Sequence, residues 1–262
     1  MRMLNRAEAA LHWREDGDPD GRPLVFANSL GTDLRLWDAL LPHLPAGLRL
    51  IRYDMRGHGL SSCSPGPYDM DTLARDAEAL IDHLDLTNVT FIGLSIGGMV
   101  GQALAARRPD LISALVLSNT AAAMGTPEAW QARIAAIRAG GLEAIADAVM
   151  ERWFAARFRA TPELALWRNM LTRTPPEGYI GCCAAIAGAD LRATTAGLTL
   201  PTLAIAGAED GASPPDLVAD TARLIPGAQL ATLPDTGHLP CVEAPAAYAA
   251  ILSDFLKETA HV

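Results

Sequence analysis

Short apolar runs alternate along this chain with longer stretches in which apolar residues recur every three or four positions. Runs over 24–27, 48–53, 89–92, 114–117, 202–206 and 229–233 read as strands buried on both faces. Leu73, Ala77, Leu80, Ile81 and Leu84 trace the apolar stripe of an amphipathic helix, with Asp71 or Thr72 expected to cap its start. A second helix is expected over 99–108, stopped by Pro109, and a last one over 245–256. Strands alternating with helices predict an α/β fold with a mostly parallel sheet covered on both faces.

The alternation stops between about 120 and 196. Helices are expected there over 127–139, 142–158, 162–172 and 178–187, with no strand among them. An all-helical insertion between two strands suggests a core made of 1–119 and 197–262, with 120–196 as a cap over one edge of the sheet. Charge separates the two parts. The insertion holds eight Arg against seven Asp or Glu, a net +1, whereas the remainder holds 13 basic against 23 acidic residues, a net −10.

Composition narrows the function classes. A chain of 262 residues that is half hydrophobic suits one large core. A net charge of −9 without basic blocks speaks against nucleic acid or an anionic membrane surface as partner. No run approaches the roughly 20 apolar residues of a membrane span. The first 13 residues include Arg6, Glu8 and His12 and hold no signal-peptide apolar core, so a cytoplasmic location is expected. The four cysteines, at 63, 182, 183 and 241, form no C-x-x-C pair and no zinc spacing. Reduced thiols are expected, with no metal and no cofactor. Nothing in the pattern points to an oligomeric state.

The candidate chemistry sits at Gly93-Leu94-Ser95-Ile96-Gly97, between the run at 89–92 and the helix that follows. A serine flanked by glycines at a strand-to-helix junction is a nucleophile elbow: the tight turn exposes the hydroxyl at the sheet's carboxyl edge. A serine hydroxyl needs a base, and the base an orienting acid. Asp210 follows the run at 202–206, and His238 follows the run at 229–233, giving the chain order Ser, Asp, His that this architecture requires. Glu209 is the rival acid, and His43 and His58 the rival bases. The Ile96 N–H is the expected first donor of an oxyanion hole. The second is expected from the loop Asn28-Ser29-Leu30-Gly31, with Leu30 as donor.

These motifs, with Asp54-x-Arg56-Gly57-His58-Gly59-x-Ser61 after a strand, resemble the α/β-hydrolase superfamily over nearly the whole chain. Many of its members carry His-Gly where this chain has Asn28-Ser29. The run from Asn28 to Trp37 is similar to the signature of 3-oxoadipate enol-lactonases, as are Gly93 to Met99, Ser118 to Ala122, Arg152-Trp153-Phe154 and Gly178 to Ile186. The resemblance implies hydrolysis of a small anionic enol-lactone late in the β-ketoadipate route of aromatic catabolism, through an acyl-enzyme on Ser95. The substrate's carboxylate calls for a guanidinium. Arg133, one helical step from Trp130, is the first candidate, although Glu128 is close enough in sequence to pair with it. Trp153 would wall the lactone ring. Residues 56–59 read as a structural turn. An esterase, a haloperoxidase-like enzyme or a carbon–carbon bond hydrolase would share the triad, and a receptor-like binding protein could keep it intact. Dehalogenases and epoxide hydrolases place Asp where Ser95 stands.

Overall fold

Residues 1–259 are described by a computed structural model. A single eight-stranded sheet runs through it. Its strands are β1 (Arg2–Asn5), β2 (Ala10–Gly17), β3 (Arg22–Ala27), β4 (Leu48–Tyr53), β5 (Val89–Leu94), β6 (Ile112–Ser118), β7 (Thr202–Gly207) and β8 (Gln229–Leu233). They lie in the order β1-β2-β4-β3-β5-β6-β7-β8. From β4 to β8 every pairing is parallel, while β1 and β2 join the edge antiparallel. The apolar pattern announces the six parallel strands; β5 and β7 are buried at every position, whereas β8, at the sheet edge, is buried only at Leu233 and not on both faces as expected. It does not announce β1 and β2. Arg14, Glu15 and Asp16 fall within β2, and ion pairs of Arg49 with Glu15 and of Arg52 with Asp16 hold that charged strand to β4.

The helices are α1 (Met70–His83), α2 (Ile96–Arg107), α3 (Pro127–Gly140), α4 (Glu143–Trp153), α5 (Ala156–Arg159), α6 (Leu164–Thr172), α7 (Pro176–Ala187), α8 (Arg192–Thr195), α9 (Pro215–Leu224), α10 (Pro240–Glu243) and α11 (Pro245–Glu258). Helix α1 is capped by Asp69, whose side chain accepts the Thr72 N–H at 2.7 Å. The expectation of Asp71 or Thr72 as cap is thereby corrected: both lie inside the first turn. Helix α9 was not anticipated; its apolar face is short and rests on β7 and β8.

Helices α3 to α8 all lie between β6 and β7, and no strand interrupts them. The single helix expected over 142–158 is broken. Phe154 is extended (φ −121°, ψ 138°), so α4 ends at Trp153 and α5 starts anew. Within the insertion α3 packs on α7 and α4 on α6, while α8 packs on α2 and α9. No helix among the described residues is long and apolar enough to cross a membrane. All four cysteines are free, and only Cys63 is exposed.

The strand order reverses between β3 and β5: β3 pairs with β4 on one side and β5 on the other. A crevice outside the carboxyl ends of strands at such a reversal is the usual ligand position in parallel α/β sheets. Strands β3, β5, β6, β7 and β8 deliver Leu30, Ser95, Asn119, Asp210 and His238 to that one edge.

Candidate active site

Ser95 ends the turn between β5 and α2 with a positive φ of 58° (ψ −120°), a conformation that L residues rarely adopt. The flanking glycines make it possible. A Cβ on Gly93 would lie 2.2 Å from the Gly97 carbonyl oxygen, and one on Gly97 would lie 2.3 Å from the Ala27 carbonyl oxygen. The elbow is therefore pressed against the end of β3. Ser95 occupies the N-cap of α2, yet its side chain makes no capping bond. Its backbone is fixed instead: the Ser95 N–H donates to the Ser118 carbonyl at 2.9 Å, and the Ser95 carbonyl accepts the Thr120 hydroxyl at 2.6 Å. Gly97→Ala should cost about 1–3 kcal/mol through overpacking, seen as a melting point lowered by about 3–10 °C. An unchanged melting point would mean that the elbow has slack.

Asp210 and His238 meet two strands away. The Asp210 Oδ2 is 2.8 Å from His238 Nδ1 and accepts the Asn119 Nδ2–H at 2.9 Å. Oδ1 accepts the N–H groups of Ala212 (2.7 Å) and Ser213 (2.9 Å). Four hydrogen bonds occupy the carboxylate's acceptor sites and leave its orientation no freedom. The ring nitrogen facing an acceptor carries the proton, which leaves Nε2 with its lone pair.

Ser95 and His238 line one cavity of about 390 Å³. Ser29, Leu30, Trp130, Arg133, Arg152, Trp153 and Tyr179 line it too. Ile96 begins α2, so its N–H belongs to the unpaired amino-terminal donors of that helix. Leu30 lies on the loop pressed against Gly97. Asn28 is fully buried; it donates to the Tyr53 carbonyl and accepts from Trp37 Nε1, both at 2.8 Å. Its amide thus fastens the Leu30 loop to β4.

The model for the alpha/beta hydrolase fold matches residues 22–245. The chain belongs to the α/β-hydrolase family. This hydrolase is 39% identical to the 3-oxoadipate enol-lactonase 2 of Acinetobacter baylyi, covering 94% of this chain and 92% of that one. The crystal structure of the enol-lactonase from Burkholderia xenovorans LB400 superposes with a TM-score of 0.94 at 39% identity, over 98% of this chain and all of the other. A thermophilic esterase from Thermogutta terrifontis, solved with malate bound, gives 0.90 at 31% identity, over 97% and 95% of the two chains.

The hydrolase does not bring the rival residues to the serine. Glu209 is exposed, with Oε2 3.4 Å from the Ala156 N–H. His43 is exposed in a short 3-10 turn. His58 is wholly buried, with Nδ1 3.2 Å from the Arg56 carbonyl, and burial pushes its pKa down to about 4. Arg56 makes a two-pronged ion pair with Asp76 of α1, in keeping with a structural turn at 56–59. A larger crevice of about 950 Å³ lies beside α6, and His12 Nδ1 there is 2.8 Å from Asp54 Oδ2. No serine or cysteine lines it, and Asp54 is occupied in accepting the Leu34 and Leu60 N–H groups.

Arg133 and Trp130 do share a face: the guanidinium carbon stands 4.8 Å from the indole centroid, while Trp130 Nε1 donates to the Met124 carbonyl at 2.6 Å. Glu128 is not within ion-pair distance of it. Arg152 and Asn119 lie in the runs 152–154 and 118–122 that carry the resemblance, but the sequence assigns neither of them a role. Arg152 is half-buried beside the same cavity; its desolvation and the nearby Arg133 charge lower its pKa. Its carbonyl accepts the Gly211 N–H at 3.2 Å, which ties the end of α4 to the Asp210 loop. Nothing local in Glu151-Arg152-Trp153 distinguishes Arg152 from a solvated helix arginine.

Proposed function

We propose that this hydrolase opens 3-oxoadipate enol-lactone to 3-oxoadipate, with 120–196 serving as the cap that selects the substrate. The observation that carries the reading is a pair of arginines, Arg133 and Arg152, which line the cavity of Ser95 and His238 and form no ion pair with an acid among the described residues. Two half-enclosed cations without a counter-ion suit an anionic substrate; the enol-lactone carries its carboxylate on the arm opposite the carbonyl that is attacked. The enol-lactonases among the relatives support the same choice.

In this reading His238 Nε2 takes the Ser95 proton as Oγ adds to the lactone carbonyl, and Asp210 steadies the imidazolium. The oxyanion is held by the Ile96 and Leu30 N–H groups, and Asn28 keeps the Leu30 loop in place. Collapse of the tetrahedral adduct breaks the bond to the ring oxygen. His238 returns the serine proton to that oxygen, so the leaving group departs as an enol, which then tautomerises to the ketone. Water, deprotonated by His238, then attacks the acyl-enzyme and regenerates Ser95. The β-ketoadipate pathway, a cytoplasmic location and the absence of cofactor belong to the same proposal.

The test compares the lactone with a neutral ester of similar size. Arg133→Ala and Arg152→Ala should each lower kcat/KM for the lactone by about 10–100-fold, the worth of a charge-assisted hydrogen bond. Ester cleavage should change by less than about threefold. Equal losses on both substrates would remove the carboxylate clamp. Rapid ester cleavage without lactone turnover in the unaltered enzyme would remove the lactone itself.

A further inference from the structure

Glu243 closes α10, five residues beyond His238. Its Oε1 accepts the Gly237 N–H at 2.8 Å, and its Oε2 accepts the Ala155 N–H at 3.0 Å. Gly237 immediately precedes the base. Ala155 lies just past the break that ends α4 at Trp153. The two segments are also joined directly, by the His238 N–H to the Trp153 carbonyl at 2.7 Å. Their fit is tight: a Cβ on Gly237 would stand 2.5 Å from the Trp153 carbonyl oxygen and 3.0 Å from the Ala155 nitrogen. One carboxylate thus spans the loop of the base and the segment that carries Arg152 and Trp153 into the cavity. Only an ionised carboxylate offers an acceptor to both N–H groups and a proton to neither.

We propose that Glu243 is a positioning residue that fixes His238 and the Arg152–Trp153 wall as one unit, setting the distance between the base and a bound anion. The charges around it make the bridge sensitive to pH. Burial raises the Glu243 pKa to about 7, and nearby Glu209 adds to the rise. The Gly237 and Ala155 N–H groups and Arg157 of α5 oppose it. Cys241, a buried thiol of α10, also feels the Glu243 charge, and His238 stands on the loop that Glu243 holds. The bridge is complete above about pH 7 and loses an acceptor as the carboxyl protonates below it. Loosening of the Arg152–Trp153 wall then raises KM for an anionic substrate.

The inference rests on the lactonase reading for its anionic arm. The experiment measures kcat and KM for 3-oxoadipate enol-lactone, and the acylation rate with p-nitrophenyl acetate, from about pH 6 to about pH 8.5 in the wild type and in Glu243→Gln. In the wild type, KM for the lactone should fall as pH rises through about 7. In the variant it should be raised and independent of pH, with kcat/KM down about 10–100-fold; ester acylation should slow less, through kcat. A folded variant with wild-type constants on both substrates overturns the proposal, as does a wild-type KM that ignores pH. If the variant does not fold, the wild-type KM profile decides. If the wild type does not turn over the lactone, the proposed function fails and the ester arm judges the bridge alone: unchanged acylation in Glu243→Gln overturns it.

Discussion

Ser95→Ala should reduce kcat on the lactone by about 10⁵–10⁶-fold while leaving the melting point within about 2 °C of the wild type. The kinetic half follows from the proposed role of Ser95 as the group that forms the acyl-enzyme. What remains is the acceleration from a bound, polarised carbonyl, about 10³-fold over water. The stability half follows from what Ser95 does not do in the fold. It stands at the N-cap of α2 without a side-chain capping bond, and alanine meets the same positive φ that serine already tolerates. The elbow's geometry is set by Gly93, Gly97 and the backbone bonds of residue 95, all of which survive the substitution. Steady-state decay of the lactone's ultraviolet absorbance, with thermal unfolding on the same preparation, checks both halves. More than about 1% of wild-type turnover would place the nucleophile elsewhere. A large fall in melting point would mean that the hydroxyl is part of the fold.

The parts of this molecule that were legible in the sequence are those whose physical requirement is local. The glycines at 93 and 97 announce a turn without room for Cβ, and the structure gives them 2.2 and 2.3 Å of clearance. Runs such as 89–92 and 202–206 announce strands buried on both faces, because no polar face interrupts them. Where a residue's role depends on a partner far along the chain, the sequence carries no mark of it. Strand β2 looks like a charged loop until Arg49 and Arg52 of β4 are set beside Glu15 and Asp16. The residues 142–158 keep a helical period throughout, yet the helix breaks at Phe154. There the backbone must serve the His238 loop, with the Trp153 carbonyl taking the His238 N–H. The roles of Arg152, Asn119 and Glu243 are hidden in the same way, even though the first two fall within runs that carry the family resemblance. Each is an ordinary surface-type residue in its own neighbourhood and acquires a role only through contacts roughly 60 to 120 positions away for Arg152 and Asn119, and 88 for Glu243 with Ala155. Arg133 was singled out on a chemical need, since a substrate carboxylate calls for a guanidinium, and the structure sets it over Trp130 on the cavity of Ser95 and His238.

Asp210→Asn should cost about 10⁴-fold in kcat with the fold retained, because it reverses a proton and not a shape. Oδ1 of Asp210 accepts two backbone N–H groups, from Ala212 and Ser213, so the asparagine oxygen must take that place. Its amide nitrogen then occupies the Oδ2 position, 2.8 Å from His238 Nδ1. A donor there requires a lone pair on Nδ1, and the imidazole proton moves to Nε2, where it faces Ser95. The base then has no lone pair for the serine proton. The new amide also opposes the Asn119 Nδ2–H, which donates to Oδ2 at 2.9 Å in the native site. Turning the Asn119 amide over relieves that conflict at the expense of its 3.2 Å bond to the Gly237 carbonyl. The price in stability should therefore be one buried hydrogen bond, about 1 kcal/mol, or about 2–4 °C in melting point. Glu209→Gln is the matched comparison, since Glu209 is exposed and its carboxylate accepts only a long bond, from the Ala156 N–H at 3.4 Å. It should stay within about twofold of the wild type. The reverse pattern, a tolerated Asp210→Asn and a crippled Glu209→Gln, would make Glu209 the acid and would require the β7 loop to rearrange before His238 could act.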